Sequence, residues 1–468
     1  MMSKRKVQLI SFITVLVLAA LACGGGSTVS PTALPAPTNV PAEATAVPPD
    51  PTAEPTVAPT TIPATVTTGE TVDLEILMLN DFIDNFDSLN VVGLVRNNTD
   101  RIVDNIEVEV EIFDANNVSV WVETTYADLY NVVPGGVTPF SLTIYDDLAN
   151  VDNYVATVVG NSTTEFEPAA LDFLNVIMVH DDNGDTHIIG ELINNTGQPV
   201  ELNSLAAATY DATGLIQTAN YYSTAIRYLD PGASGPFRVT ITGQEAGIVN
   251  IADFEVYVDA QVTDAIAPFN ITISDAYNYK DVFDYPHLVG EVTNNDSVNL
   301  NISLIAAIYN ANNEVIDVAS VTLPISSLAP GETLPFDFDF WGPLNYLTGY
   351  NDEADSYSIE VDAYRTRETD TVLLDLTTQN DTNEFDSFSG VFTGQVVNAT
   401  GGPVDNVTIV VYFRDVQTGE VIAVAYDYIF DPIADGGTAD YDVYVDIPEG
   451  FDISSAEYII IVKGERAQ

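Results

Sequence analysis

One five-residue phrase recurs four times along this 468-residue chain, and its spacing limits what the chain can fold into. The phrase is a glycine, any residue, an aliphatic residue, any residue and an asparagine. Its copies are Gly93-Leu94-Val95-Arg96-Asn97, Gly190-Glu191-Leu192-Ile193-Asn194, Gly290-Glu291-Val292-Thr293-Asn294 and Gly394-Gln395-Val396-Val397-Asn398. The glycines are 97, 100 and 104 residues apart, about the length of one small domain. The chain is therefore predicted to contain four copies of one module.

Two aromatic landmarks follow each glycine at nearly fixed offsets. The first comes 19 or 20 residues later and ends an apolar segment, at Phe113, Tyr210, Tyr309 and Phe413. The second comes 27 or 28 residues after the first, at Phe140, Phe237, Phe336 and Tyr441. In the first three copies a Pro-Gly turn precedes the second aromatic; in the fourth, Asp435-Gly436-Gly437 stands there. Landmarks held through four copies establish the repeat.

Alternating polarity predicts strands. In Phe336-Asp337-Phe338-Asp339-Phe340 and in Glu107-Val108-Glu109-Val110-Glu111-Ile112, a period of two sends apolar and acidic side chains to opposite faces. About seven strands in about a hundred residues predict an all-β fold of antiparallel, immunoglobulin-like β-sandwiches. The predicted modules are repeat 1 (71–165), repeat 2 (166–266), repeat 3 (267–370) and repeat 4 (371–468). No cysteine pair is available, so burial alone must hold each core.

The phrase itself has a physical reason. A glycine in a strand admits a bulge or a close backbone approach that a side chain would block. The alternating aliphatic residues point into the core. The asparagine is predicted to end the strand, because asparagine suits turns and tolerates a left-handed conformation.

The amino terminus is predicted to be an export signal. Lys4, Arg5 and Lys6 precede an apolar run over 7–18, and small residues lead to Cys23. This order resembles a bacterial lipoprotein signal (1–22), in which Cys23 is lipidated and anchors the chain to the lipid bilayer. Ordinary secretory cleavage nearby is the alternative. Cys23 is the only cysteine in the sequence, which favours lipidation. Residues 23–70, rich in Pro, Thr and Ala, predict a disordered spacer.

Charge excludes one class of partner. The chain carries 13 basic and 69 acidic residues, for a formal charge of −56. Nucleic acid and anionic lipid surfaces would be repelled, so neither is expected as a partner. A hydrophobic content of 46% is globular, and the acids are expected on solvated strand faces.

At the repeat landmarks the chain resembles the FxLYD-type repeats of bacterial envelope proteins. These modules combine a Gly-x-Val-x-Asn phrase, a Tyr-Asp strand end and a Pro-Gly turn before Phe. The resemblance covers all four repeats, from about 71 to 468. It departs at the name-giving Phe, replaced by Val110, Ala207, Ala306 and Val410, and at Arg414, which stands at the Asp position of the fourth copy. The resemblance implies a sandwich fold on an exported protein and no activity.

Candidate chemistry is sparse. The sequence has no zinc-protease, nucleophile-elbow, phosphate-loop or dinucleotide motif, so no enzyme is predicted and no catalytic residue is assigned. His180 and His187 bracket an acidic turn and could face each other across a hairpin. In that turn Asp181, Asn183 and Asp185 alternate like the start of a calcium loop, but the twelfth position is Leu192 where an EF-hand has Glu. A plain Asn-Gly hairpin is the simpler interpretation, with Ca²⁺ as the alternative.

Aromatic residues near predicted loops or strand ends are the candidates for ligand contact. They are Tyr221, Tyr222, Tyr277, Tyr279 and Trp341. Tyrosine and tryptophan at such places suit contacts with sugars or protein partners. The alternative is that these side chains pack inside the fold and bind nothing.

The sequence thus predicts a non-catalytic cell-envelope lipoprotein, anchored by lipid and facing outward, that presents four β-sandwiches as a structural or interaction scaffold. Its partner would be an envelope or extracellular protein or a glycan. Two alternatives stay open: a specific adhesin or receptor for glycan or protein, assisted by Ca²⁺ or not, and a hydrolase hidden in the sandwiches.

Overall fold

The computed structural model describes fourteen stretches of the chain. They are 64–65, 73–84, 88–145, 151–181, 184–221, 223–241, 251–264, 269–274, 276–280, 286–340, 354–366, 373–385, 389–448 and 456–467. The predicted signal, with Cys23, lies outside these residues, and so does the predicted spacer except for 64–65. Within the described stretches, no helix is long and apolar enough to cross a membrane.

All regular structure in these stretches is strand. Repeat 1 contains β2 (Leu74–Ile83), β3 (Leu89–Asn97), β4 (Ile102–Phe113), β5 (Ser119–Tyr126), β6 (Asn131–Val132), β7 (Val137–Ile144) and β8 (Asn153–Thr164), with β1 (Ala64–Thr65) ahead of them. Repeat 2 contains β9 (Asp172–His180), β10 (Thr186–Ile193), β11 (Val200–Tyr210), β12 (Ile216–Asn220), β13 (Ser223–Ala225), β14 (Tyr228–Leu229), β15 (Ser234–Ile241) and β16 (Asp253–Val262). Repeat 3 contains β17 (Ile271–Ile273), β18 (Tyr277–Lys280), β19 (Pro286–Asn294), β20 (Leu300–Asn310), β21 (Val315–Thr322), β22 (Thr333–Asp339) and β23 (Ala354–Arg365). Repeat 4 contains β24 (Leu373–Asp375), β25 (Thr377–Phe385), β26 (Ser389–Val397), β27 (Val404–Asp415), β28 (Val421–Ile429), β29 (Thr438–Asp446) and β30 (Ala456–Arg466).

Within the fourteen described stretches, each repeat contributes two sheets, and no sheet joins strands of different repeats. We name them A and B. The A sheets are built around β4, β11, β20 and β27, and the B sheets around β3, β10, β19 and β26, the strands that carry the phrase. Pairing between the described strands is antiparallel except between β1 and β8. That short strand lies inside 23–70, so the end of the predicted spacer joins the first A sheet. The predicted all-β, sandwich-type fold is confirmed.

In repeats 1, 3 and 4 the glycine of the phrase packs under the second aromatic, whereas in repeat 2 a Cβ added to Gly190 would meet Val176 first. Gly93, Gly190, Gly290 and Gly394 stand directly opposite Phe140, Phe237, Phe336 and Tyr441 in the antiparallel ladders. A Cβ added to Gly93 or Gly290 would lie 2.6 Å from the facing ring, and van der Waals repulsion forbids such a contact. The predicted close approach is confirmed. It explains why these two landmarks keep an offset of 46 or 47 residues.

The asparagine of the phrase lies at the end of its strand, as predicted, but not in a left-handed conformation. None of the four has a positive φ; that conformation belongs instead to the turn glycines Gly135, Gly232, Gly331 and Gly436. Each asparagine is fully buried. In repeat 2, Asn194 Nδ2 donates to the carbonyls of Leu229 (2.8 Å) and Gln198 (2.7 Å), while its Oδ1 accepts from the Thr196 amide and hydroxyl. The side chain ties the strand end to the turn before the second aromatic.

The same clamp occurs in every repeat, including the one without a Pro-Gly turn. The side-chain amides of Asn97, Asn294 and Asn398 donate to the carbonyls of Val132, Leu328 and Ile433. The asparagine carbonyls accept from the amides of Gly135, Gly232, Gly331 and Gly436. Gly436 therefore does in repeat 4 what the Pro-Gly glycine does elsewhere.

Candidate functional site: junctions between repeats

Several residues proposed from the sequence cannot be placed. Cys23, Asn183, Tyr222 and Trp341 lie outside the described residues. The remaining candidates fall on the acidic turn of repeat 2 and on the contacts between neighbouring repeats.

The acidic turn is a hairpin that is stabilised by the carboxylate of one of its own residues. The Asp181 carboxylate accepts from the Asp185 amide at 2.9 Å and lies 3.3 Å from His187 Nε2. Asp181 is buried, so these contacts occupy the side chain that a calcium ion would need first. Across the described residues, no three His, Cys, Asp or Glu side chains gather in a way that could hold a metal ion.

The two histidines beside this turn do not face each other. His180 is opposite Thr186 in the ladder, and His187 is opposite Val179. Because neighbouring strand positions point to opposite faces, the histidine side chains lie on different sides of the sheet. His180 contacts the Thr186 hydroxyl at 3.0 Å, whereas His187 is buried towards repeat 3. The predicted cross-hairpin pair is wrong because the hairpin register is offset by one residue.

Tyr277 and Tyr279 pack within the fold. Their rings stack 6.0 Å apart, and Tyr279 stacks on His287 with centroids 4.9 Å apart. Both are half-buried and pack against residues of repeat 4, including Tyr412 and Val421. The structure therefore places these two candidates in the junction between repeats 3 and 4.

Neighbouring repeats are packed face to face. The B sheet of each repeat contacts the A sheet of the next: β12 lies on β2, β3 and β7, β21 on β10 and β15, and β28 on β19 and β22. Apolar side chains continue across these contacts. Ala206 and Ala208 of repeat 2 belong to the hydrophobic cluster of repeat 1, and Ile305 and Ala307 of repeat 3 belong to that of repeat 2. The eight sheets thus form one continuous stack.

One pair of strand positions shows how the stack is encoded. The central strand of each A sheet has a bulge near its end, and in repeats 2 to 4 the residues two and four positions before this bulge face the preceding repeat. They are Ala208 and Ala206 in repeat 2, Ala307 and Ile305 in repeat 3, and Tyr412 and Val410 in repeat 4. All are buried. The same positions in repeat 1 are Glu111 and Glu109, which are partly exposed. Among the described residues, no other repeat packs on these two glutamates.

The other end of the stack is polar in the same way. On β29, Asp440, Asp442 and Tyr444 alternate with core residues and are exposed. In repeats 1 to 3 the matching strand meets the next repeat. Polar outer faces on terminal repeats are typical of stacked-repeat proteins, because an apolar end would recruit another copy.

Scarce cations are concentrated at two of the junctions. Arg238 of repeat 2 reaches Asp317 of repeat 3 at 2.9 Å. Arg414 of repeat 4 pairs with Glu291 of repeat 3, and Lys463 of repeat 4 pairs with Glu332 of repeat 3. In a chain with 69 acids and 13 bases, three cations placed between repeats offset repulsion where sheets meet.

The pair between repeats 2 and 3 is deeply buried. Asp317 is 0% exposed, and burial raises its pKa although Arg238 lowers it. The pKa of the neighbouring His187 is lowered by burial and by the Arg238 charge. A buried aspartate with a single arginine partner requires the facing repeat to stay in place.

The position of Arg414 changes how repeat 4 aligns with the other three repeats. The ladder irregularity that marks the strand end falls at Phe113, Tyr210 and Tyr309 in repeats 1 to 3, but at Arg414 in repeat 4. Asp415 then caps its turn by accepting from the Gln417 amide, as Asp211 does from the Thr213 amide. Arg414 therefore occupies the aromatic position, not the aspartate position, and Phe413 lies in the core of repeat 4.

A groove opens beside the junction between repeats 1 and 2. It has a volume of about 510 Å³ and is lined by Asn105, residues 124–130 and Tyr221. Of these residues, sequence reasoning identified Tyr221 alone. Tyr126, Asp128 and Tyr130 were missed because nothing in their spacing relates them to a tyrosine about ninety residues away.

Comparisons with known proteins leave the chain unassigned. No protein-family model matches it, and no curated protein matches it. Among solved structures it is similar to native Escherichia coli alpha-2-macroglobulin (9% identity, TM-score 0.13, covering 82% of this chain and 28% of that one). It is also similar to latent PorU from Porphyromonas gingivalis (12% identity, TM-score 0.13, covering 68% of this chain and 30% of that one). A third similar structure is elastase-activated Escherichia coli alpha-2-macroglobulin (11% identity, TM-score 0.12, covering 81% of this chain and 42% of that one). The chain spans less than half the length of each, and at these scores the likeness carries no argument.

Proposed function

We propose that the protein is a non-catalytic scaffold of the cell envelope: a lipid-anchored, outward-facing stack of four β-sandwich repeats that holds a binding surface away from the membrane. The observation that carries this proposal is the pattern of the A-sheet faces. Inner repeats have apolar faces buried on their neighbours, and the first repeat has glutamates there. A chain built this way resists bending at each junction.

The buried ionisable groups support a packing role. Asp317, Glu291 and Glu332 each pair with a cation of a neighbouring repeat, and His287 pairs with Asp337 at 3.0 Å while stacking on Tyr279. These contacts engage the side chains in packing between strands and repeats, whereas general acid–base chemistry needs a group free to reach a substrate. The alternative of a hidden hydrolase therefore gains no support from them.

The anchor is proposed from the amino-terminal sequence. A basic start, an apolar run and a lone cysteine suit lipid attachment, and the Pro-rich segment after Cys23 suits a spacer. The high negative charge suits an outward position, because an acidic stack is repelled by anionic headgroups.

Expression of the full chain in a lipoprotein-processing bacterium tests this proposal. We expect the wild type to sediment with membranes, to incorporate radiolabelled fatty acid, and to be cleaved by protease added outside spheroplasts. Cys23→Ser should lose the label and move to the soluble fraction, whereas Ser27→Ala, a neutral change in the spacer, should behave as the wild type.

An unlabelled wild type, or a Cys23→Ser variant that stays with the membrane, would contradict the lipid anchor. Protection of the wild type from external protease would contradict the outward orientation.

A further inference from the structure

Three exposed tyrosines surround the groove at the junction between repeats 1 and 2. Tyr126 and Tyr130 are each 62% exposed and Tyr221 is 56% exposed, and all three line the groove. Tyrosine buries a large flat surface when a ligand covers it and loses little conformational freedom in doing so. Three such side chains left uncovered around one groove are therefore unusual for a surface with only a packing role.

A buried carboxyl group lies in the same groove. Asp128 is 4% exposed, and its Oδ2 atom is buried with no hydrogen-bond partner among the described residues. Within the described part of the chain, no basic residue pairs with it. A buried polar atom without a partner costs free energy, and a ligand that supplies a hydrogen-bonding group would remove that cost.

The groove is assembled from two repeats. The Tyr130 amide donates to the Ser204 hydroxyl of repeat 2 at 2.9 Å, and the Asn131 side-chain amide donates to Asp259 at 2.7 Å. These bonds hold the 127–131 segment against repeat 2, which supplies Tyr221. The inference below therefore rests on the packed stack of the proposed function.

We propose that this groove is a binding site for a neutral saccharide, in which a sugar ring stacks on the tyrosines and a sugar hydroxyl bonds to Asp128. A volume of about 510 Å³ accommodates about two sugar rings, in the size range of small-ligand sites. The side chains of Asn105, Thr124 and Thr125, which also line the groove, add amide and hydroxyl groups suited to further sugar hydroxyls.

Charge favours a neutral ligand over a cation or an acidic sugar. Burial raises the pKa of Asp128 well above its usual range, with no charged neighbour contributing; this shift favours the neutral carboxyl group, which can both donate and accept. A neutral acid attracts an ammonium ion weakly. An acidic sugar would be repelled by the −56 chain.

The test is titration of the full chain in detergent with maltose, cellobiose, lactose and chitobiose, followed by ligand-observed NMR and calorimetry. At least one disaccharide should bind with a Kd of about 1 mM or below. Tyr130→Ala and Tyr221→Ala should each weaken it at least about tenfold, whereas Tyr444→Ala, an equally exposed tyrosine on β29, should not. Asp128→Asn, which keeps a donor and an acceptor, should bind within about threefold of the wild type, and Asp128→Leu should not bind.

Absence of binding by all four disaccharides overturns the proposal, and so does equal weakening by Tyr444→Ala. Binding of choline that is lost in Asp128→Asn overturns it in favour of a cationic ligand. Hydrogen exchange at the Tyr130 amide, measured on the same sample, separates the two proposals. A protected amide without sugar binding rejects the saccharide site alone, and an unprotected amide rejects the packed junction beneath it.

Discussion

At the scale of single residues, the repeat is a set of side chains that satisfy buried backbone groups. Asn194 makes four hydrogen bonds without exposing any atom, and its carbonyl and amide also pair with Gly232 and Ala233. Asparagine fits because it carries two donor hydrogens and an acceptor on a short stem. Aspartate would place a charge beside two carbonyls, and leucine would leave both unpaired.

Asn194→Ala is expected to destabilise the protein strongly. The substitution leaves the carbonyls of Leu229 and Gln198 without their donor, at a cost of about 3 kcal/mol. Chemical denaturation followed by tyrosine fluorescence measures it. The neighbouring Asn195→Ala removes an exposed side chain bonded to Asp172 and should cost less than about 0.5 kcal/mol. Equal effects of the two variants would mean that the clamp is not what fixes the turn.

Residue-scale prediction from the sequence succeeded where the constraint was steric and failed where it was a distant hydrogen bond. The constant number of residues between the glycine and the second aromatic was enough to relate them, because two residues that pair in a ladder keep the same separation in every repeat. The partner of Asn194 is a carbonyl 35 residues away, and no pattern of side chains identifies a carbonyl. Val110, Ala207 and Ala306 stand where the FxLYD pattern has its first Phe, and each is buried in the core of its own repeat. The chain therefore differs from that pattern in the volume of the side chain that fills the core.

At the scale of elements, a strand with two buried faces is the unit of assembly. β11 and β20 place residues of one parity in their own sandwich and residues of the other parity in the neighbour. Alanine suits the neighbour-facing side because its lack of atoms beyond Cβ lets two sheets approach. β4 keeps the same inner face but carries glutamate outside, and this difference marks the first repeat.

The Arg238–Asp317 pair provides a prediction for the junction between repeats 2 and 3. Arg238→Met should destabilise the protein by about 4 kcal/mol, since it leaves a buried carboxylate without its cation. The double variant Arg238→Met, Asp317→Leu should recover most of that loss, because an apolar pair replaces the ion pair.

Urea denaturation of the two single variants and the double variant closes a thermodynamic cycle. Additive losses would show that Arg238 and Asp317 do not interact across the junction. Arg227→Met, which removes the more exposed pair to Glu201 within repeat 2, is the matched control and should cost about 1 kcal/mol or less.

Sequence patterns predicted the strands but not these contacts between them. Alternation in β4 was read correctly as one buried and one solvated face. In β11 the run Leu205-Ala206-Ala207-Ala208 shows no alternation, which is the mark of a strand covered on both faces. Arg414 was assigned one position too far along because an arginine stands where the other repeats have an aromatic residue, and the adjacent Phe413 was taken for that aromatic.

At the scale of the whole molecule, the packing between repeats makes the stack stiff. A chain of independent beads would need polar surfaces on every repeat. Here the polar A-sheet face is confined to repeat 1, while the exposed outer positions of β29 close repeat 4. A net charge of −56 distributed on outer faces keeps such stacks apart in solution, and the cations Arg238, Arg414 and Lys463 offset repulsion inside. Tandem sandwiches could be predicted from the sequence, but their packing into one stack could not, because it depends on which faces meet.

The most direct measurement is the distance between spin labels placed across two junctions. Val120 on β5 of repeat 1 and Tyr364 on β23 of repeat 3 are both exposed strand residues, and each is replaced by cysteine in a Cys23→Ser chain so that no other thiol is present. A stack with packed junctions predicts one narrow distance distribution in pulsed electron paramagnetic resonance, unchanged between low and high salt. A broad or multi-peaked distribution would show repeats moving independently, and would contradict the rigid stack from which the proposed function follows.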